Sequence, residues 1–207
     1  MKTHRDFSWT ILPVVILICA AAALAGGLGA RSAAQRKAAA PPAARDDAAA
    51  KAAFLAAYSV FMHPRCMNCH PAGDIPLQGD DSHPHTQNVQ RGGAGMGKYA
   101  LKCLDCHQLE NVPGANMPPG APNWHLPPPN MKMVFEGKSA GELCRQLKDP
   151  KQNGGRSVER AIEHIKSDKL VMWGWAPGEG RSVPAMSHAE FSGRMQEWIA
   201  KGAACPE

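Results

Sequence analysis

Two five-residue segments repeat one pattern: Cys66-Met67-Asn68-Cys69-His70 and Cys103-Leu104-Asp105-Cys106-His107, both C-x-x-C-H. This is the attachment sequence for c-type haem. The two thiols add to the haem vinyl groups, and the adjacent histidine is held where its imidazole ligates iron from the proximal side. The spacing therefore points to two covalently attached haem c groups, with Cys66, Cys69, Cys103 and Cys106 as attachment residues and His70 and His107 as proximal iron ligands. Three other chemistries use paired cysteines. A zinc ribbon sets its two knuckles roughly 15–20 residues apart, whereas 33 residues lie between Cys69 and Cys103, and it needs no histidine after each knuckle. A thioredoxin-like dithiol would occur once, beside a βαβ pattern that is not found here. Disulfides inside each C-x-x-C would leave both histidines unexplained.

Each iron needs a sixth ligand or keeps an open position, and that choice separates electron carriage from catalysis. The histidines available are His63, His83, His85, His125, His164 and His188, and the methionines include Met96, Met117, Met131, Met133 and Met186. His85 and His125 stand out as distal ligands because each lies in a Pro-bounded loop close to a motif. His164, at the margin of an apolar helical face, could serve the same role. Met117-Pro118 is similar to the Met-Pro ligand loop of monohaem cytochromes, but it follows Cys106 by only 11 residues, so it would have to serve the other haem. Methionine ligation raises the reduction potential relative to two histidines.

The elements that position these residues follow from the rest of the chain. Its 207 residues are 44% hydrophobic, with 20 Gly, 18 Pro, 5 Phe, 2 Tyr and 5 Trp. That composition implies one loop-rich domain with few aromatics of its own, and two macrocycles would fill part of its interior. The expected fold is mainly α: a single loop-rich, dihaem cytochrome c-like domain with helices packed around two covalent haems, poorly folded without them. Only 37 positions separate Cys66 from Cys103, too few for two complete monohaem units in tandem, so both haems share one domain. Before the first motif, Phe54, Leu55, Tyr58, Phe61 and Met62 form one stripe of a helix that stops before Pro64. Between and after the motifs the chain is mostly loop, dense in Gly, Pro and Asn. Ser139 with Glu142, and Ser187 with Glu190, are capping boxes, and Ser157 can cap a helix carrying Val158, Ala161, Ile162 and Ile165. The last helix, with Phe191, Met195, Trp198 and Ile199 on its core face, is expected to reach Gly202. The segment Met172-Trp173-Gly174-Trp175-Ala176-Pro177-Gly178 is rigid and aromatic, with both tryptophans expected against porphyrin.

The first residues carry an address. Lys2 and Arg5 precede 24 uncharged residues, Phe7 to Ala30, which serve either as a signal peptide cleaved after Ala23-Leu24-Ala25 or as an uncleaved membrane anchor. Cys19 follows Ile18 rather than a small residue, so it does not fit a lipoprotein cysteine. Residues 31–50 are an Ala/Pro-rich linker, and residues 51–207 form the dihaem cytochrome c domain. The expected location is the periplasm, soluble after cleavage or tethered to the inner membrane. In that oxidising compartment Cys144 and Cys205, left over after haem attachment, are expected to form a disulfide. The net charge of +5 is not gathered into a basic run, so no nucleic-acid partner is expected. No nucleophile-base pair, phosphate loop or paired-carboxylate motif points to another enzyme class.

The motifs are embedded in longer runs. NVQRGGAGMGKYALKCLDCHQLEN, PGAPNWHLPP, GKSAGELCRQLKDPKQNGGR, WGWAPGEGR and the ending GAACP resemble a family of small exported bacterial dihaem proteins often called isoquinoline 1-oxidoreductase subunits, over roughly residues 60–207. The resemblance implies an association with periplasmic molybdenum hydroxylases, some of which pass electrons to c-type cytochromes. This chain lacks the C-x4-C-x2-C iron-sulfur pattern and is too short for a molybdopterin subunit, so the association would make it the electron acceptor. The expected function is a periplasmic dihaem cytochrome carrying electrons from a dehydrogenase toward the respiratory chain. The alternative from another class is a haem enzyme or ligand sensor with one open-site haem. One expectation is checked directly: unfolded, unreduced holoprotein should show no titratable thiol from Cys144 or Cys205, and two reactive thiols there would rule the bridge out.

Overall fold

The computed structural model describes residues 44–207. The expected signal or anchor segment, residues 1–30, and the linker up to residue 43 lie outside the described residues. Among the described residues the chain is helix-rich, with four two-residue strands, and no helix is long and apolar enough to cross a membrane.

The first helix, α1 (Asp47–Phe61), starts where Asp46 accepts the Ala49 N–H at 3.0 Å and Asp47 places a carboxylate on the positive end of the helix. Its alanine-rich composition has high helix propensity. The expected linker boundary is therefore corrected: residues 47–50 are helical and Ala50 is fully buried, because the Asp46 cap starts the helix earlier than its large apolar residues do. The buried face is Ala50, Ala53, Phe54, Ala57, Val60 and Phe61. Leu55, placed on the apolar stripe by spacing, is 50% exposed. The alanines carry that part of the face, leaving room for another helix to lie close.

That helix is α6 (His188–Ala200), which packs along α1. The Ser187–Glu190 capping box starts it, and it stops two residues short of Gly202, whose φ of +104° ends the helical path. Phe54 meets Trp198 at 5.1 Å between ring centres, and Phe61 meets both Phe191 (5.1 Å) and Phe135 (5.2 Å). α3 (Ala140–Lys148) and α4 (Val158–Ser167) start at the expected caps Ser139 and Ser157 and bury Leu143, Leu147, Ile162 and Ile165 in the same core. Cys144 and Cys205 are bonded, across a sequence separation of 61. Closing a loop of that length stabilises by about 4 kcal/mol in the chain-entropy account. The helices thus have a hydrophobic core of their own, which holds Phe54, Phe61, Phe135, Phe191 and Trp198. The other part of the domain has little apolar interior of its own.

That part runs from Pro71 to Val134, and Phe135 joins it to the helical core. After α2 (Pro64–Met67) it holds two short antiparallel hairpins, β1–β2 (Leu77–Gln78 with His83–Pro84) and β3–β4 (Gly97–Lys98 with Leu101–Lys102). Between Pro71 and Val134, Ala121 and Leu126 are the residues in the buried apolar set. Polar side chains tie these loops together, above all Arg91. It is 1% exposed and donates to the carbonyls of Pro127 (2.6 Å), Gly73 (2.9 Å) and Pro71 (3.4 Å) while facing the Asp74 carboxylate. One guanidinium joins the loop after the first motif to the loop after the second, using the several donors that arginine alone supplies. Arg91→Ala strands these carbonyls in a tightly packed site, with an expected loss of about 3 kcal/mol. Urea unfolding checks this, and an unchanged midpoint would contradict the role assigned to Arg91.

Candidate functional site

The first motif sits on a helical turn. After α1 ends, His63 is extended before Pro64, as a residue preceding proline prefers, and its Nδ1 accepts the Arg65 N–H at 3.2 Å, capping α2. Cys66 lies in α2, and the turn continues through Cys69 N–H to Cys66 O (3.2 Å) and His70 N–H to Met67 O (2.9 Å). The second motif forms a 3-10 turn, Cys103–Asp105, delivered by the β3–β4 hairpin and capped by the Asp105 carboxylate on the Lys102 N–H at 3.0 Å. Its His107 N–H reaches Cys103 O at 2.9 Å. Residues three apart on such turns are neighbours, so each motif presents two adjacent thiols followed by an imidazole.

Both imidazoles are held alike. His70 Nδ1 donates to the Met133 carbonyl at 2.7 Å, and His107 Nδ1 donates to the Pro119 carbonyl at 2.7 Å. A carbonyl can only accept, so in each ring Nδ1 carries the proton and a neutral imidazole keeps Nε2 as a free lone pair. Flat aromatic rings fix the planes: Phe135 on His70 (3.9 Å, 13°) and Trp124 on His107 (4.3 Å, 4°). Burial pushes His70 down to about 4 and lowers His107, keeping both uncharged. An oriented Nδ1–H and an available Nε2 are the arrangement of a metal-ligating histidine with its outer partner.

A cavity of about 400 Å³ lies between the motifs, with Cys69, Cys103, Cys106 and His107 on its wall. The expected distal candidates His85 and His125 also line it. His85 follows the β1–β2 hairpin, its N–H on Pro76 O at 2.9 Å, and its ring centre is 6.3 Å from that of His107. His125 donates from Nδ1 to Asn123 O at 2.5 Å. The loop that carries Trp124 and His125 packs against Gly95, where there is no room for a side chain. Leu126 N–H donates to Gly95 O at 2.8 Å, φ at Gly95 is +77°, and a Cβ there would meet Leu126 O.

Cations and aromatics connect the two motifs. Trp173 stands edge-on to Trp124 (4.9 Å) and donates to Asn111 Oδ1 (2.9 Å), and the Arg65 guanidinium lies 5.9 Å over its ring. Arg65 pairs with Asp80, whose other oxygen accepts the Ser182 N–H at 3.0 Å. Arg181, Arg65 and Lys102 all reach the cavity wall. The two tryptophans of the aromatic segment separate: Trp173 faces the cavity, whereas Trp175 packs on His188 (4.8 Å) and Phe191 (5.7 Å) in the helical core.

The remaining candidate ligands are engaged elsewhere or exposed. His188 donates to Ile165 O at 2.9 Å, His83 pairs with Asp81, and His164 Nδ1 lies 3.1 Å from Asp168. Met117 is 42% exposed. Trp124, Phe135, Pro119, Met133 and Arg91 are the positioning groups that sequence spacing missed. Trp124 adjoins the candidate His125, but nothing local to the sequence pairs it with His107.

The donor set fits covalent haem. Cys66, Cys69, Cys103 and Cys106 are free thiols while Cys144 and Cys205 are bonded. Burial pushes Cys66 up to about 12 and Cys69 to about 11. Such thiols are not the reactive thiolates of a redox dithiol. Among the described residues no three His, Cys, Asp or Glu side chains converge as ion ligands, whereas a structural zinc site takes about four. Comparison of the chain with family models, curated proteins and solved structures finds no match.

Proposed function

We propose that this chain is an exported dihaem c-type cytochrome that accepts electrons from a dehydrogenase and passes them on toward the respiratory chain. The observation that carries the proposal is the equivalence of the two motif histidines. Each follows a pair of free thiols, donates Nδ1 to a backbone carbonyl at 2.7 Å and lies flat against one aromatic ring. Two unrelated segments of chain converge on one outer arrangement for an iron-ligating imidazole.

The haems would supply reversible one-electron chemistry between ferric and ferrous iron, and the protein's residues set the surroundings. Cys66 and Cys69, and Cys103 and Cys106, would anchor the two groups. His70 and His107 would hold the irons through Nε2, with Met133 O and Pro119 O raising their basicity. Arg65, Lys102 and Arg181 offer cationic partners for the carboxylates of a group bound in the cavity. Cys106, Leu101 and Leu104 are exposed, so a group attached at the second motif lies within reach of a partner protein without any opening of the fold. Contacts between electron-transfer partners are characteristically small and transient. The resemblance to the isoquinoline 1-oxidoreductase subunit family supports a molybdenum hydroxylase as the electron donor, in the periplasm or at the inner membrane.

The test is a reductive titration of protein matured with haem attachment. Two electrons per chain should be taken up and returned, falling to one in Cys66→Ala/Cys69→Ala with half the haem absorbance. A holoprotein that is not reoxidised by a small redox protein but turns over peroxide would overturn electron carriage in favour of catalysis.

A further inference from the structure

We propose that His85 is the axial ligand opposite His107, so that the second haem is a six-coordinate, bis-histidine centre. The proposal rests on the haem reading above and adds what that reading leaves open, the sixth ligand. His85 and His107 both line the cavity, with ring centres 6.3 Å apart and ring planes at 73°. A ring nitrogen lies about 1.1 Å from its ring centre, so these rings bring their nearest nitrogens no closer than about 4 Å, beyond hydrogen-bond range. Two metal–imidazole bonds of about 2 Å each span that minimum. The two imidazoles share one cavity, are too far apart to bond each other and leave room for one atom between them.

The backbone fixes this spacing from both sides. On one side Pro119 O holds the His107 ring by Nδ1, leaving Nε2 to coordinate. On the other, the β1–β2 hairpin ends at His85, whose N–H is bound to Pro76 O, and Leu77 N–H ties the same hairpin to Asn68 O of the first motif at 3.0 Å. The buried His85 Nδ1 has no hydrogen-bond partner, so that ring nitrogen is uncommitted within the fold. Of the other candidates, Met117 is 42% exposed, and His125 lines the same cavity with its Nδ1 on Asn123 O, which makes it the competing ligand that the His85 variants distinguish. The ligation is therefore crossed: the loop that leaves the first motif supplies the second haem. A closed bis-histidine iron has no open position for peroxide or a gas, and it sits at lower potential than a histidine–methionine iron.

The experiment uses holoprotein carrying Cys66→Ala/Cys69→Ala, so that the second haem is observed alone, with the wild-type chain beside it. Near-infrared magnetic circular dichroism of the parent should give the bis-histidine charge-transfer band, and the ferrous form should bind no carbon monoxide. His85→Ala should become high-spin and bind one carbon monoxide per haem, and added imidazole should restore the low-spin spectrum. His85→Met should keep a low-spin haem and raise its midpoint potential. A histidine–methionine band in the parent, or an unchanged spectrum and no carbon monoxide binding in His85→Ala, would overturn the assignment. Should His85→Ala fail to accumulate, His85→Met decides: an unchanged bis-histidine band in that variant would overturn the assignment. Absence of haem in the parent and wild type alike would instead contradict the functional reading itself.

Discussion

Every feature of the site depends on two hydrogen bonds of the same kind: a motif imidazole giving its Nδ1 proton to a backbone carbonyl. Met133 O for His70 and Pro119 O for His107 decide which nitrogen of each ring remains basic. A carbonyl can do this only if its loop is held still, and these loops have almost no apolar core to hold them. Polar cross-links replace it. Arg91 gathers the carbonyls of Pro71, Gly73 and Pro127, Asn111 joins Gly120, Ala176 and Trp173, and Arg181 reaches Met117 and Pro177. The Arg91 bonds satisfy buried or half-buried backbone oxygens that would otherwise cost stability.

The domain therefore divides its labour. Helices α1, α3, α4 and α6 bury Phe54, Phe61, Phe191 and Trp198 and are clasped by the Cys144–Cys205 bridge, and this core needs no cofactor to explain its packing. Against it stand two motif turns and the loops between them, rich in glycine and proline and poor in buried side chains. Phe135 belongs to both parts: it packs edge-on to Phe61 in the core and stacks flat on His70. Rigidity passes through that ring from the helical core to the first motif imidazole. Trp124 and Trp173 do the same between His107 and Arg65, one residue before Cys66.

What the sequence made legible was local. Ser139, Ser157 and Ser187 mark helix starts because a cap acts on amides two or three residues away, and all three helices begin there. The disulfide followed from cysteine arithmetic and compartment. The start of α1 was missed because Asp46 and a run of alanines give no apolar stripe, and Leu55 was misplaced because its spacing fits the stripe while alanines make the contact. The repeat of the two C-x-x-C-H motifs was legible from spacing. The company they keep was not: Trp124 lies 17 positions from His107 and Phe135 lies 65 from His70, and no periodicity links residues across loops. Arg91 sits among glycines like any solvated arginine, and only the fold shows it buried.

The central claim is that both C-x-x-C-H motifs carry covalent haem, and intact mass spectrometry of protein matured in a host with cytochrome c assembly tests it most directly. The account predicts a mass equal to the chain plus two haems, retained after denaturation. A mass equal to the bare chain would contradict it and return the paired cysteines to zinc or disulfide chemistry.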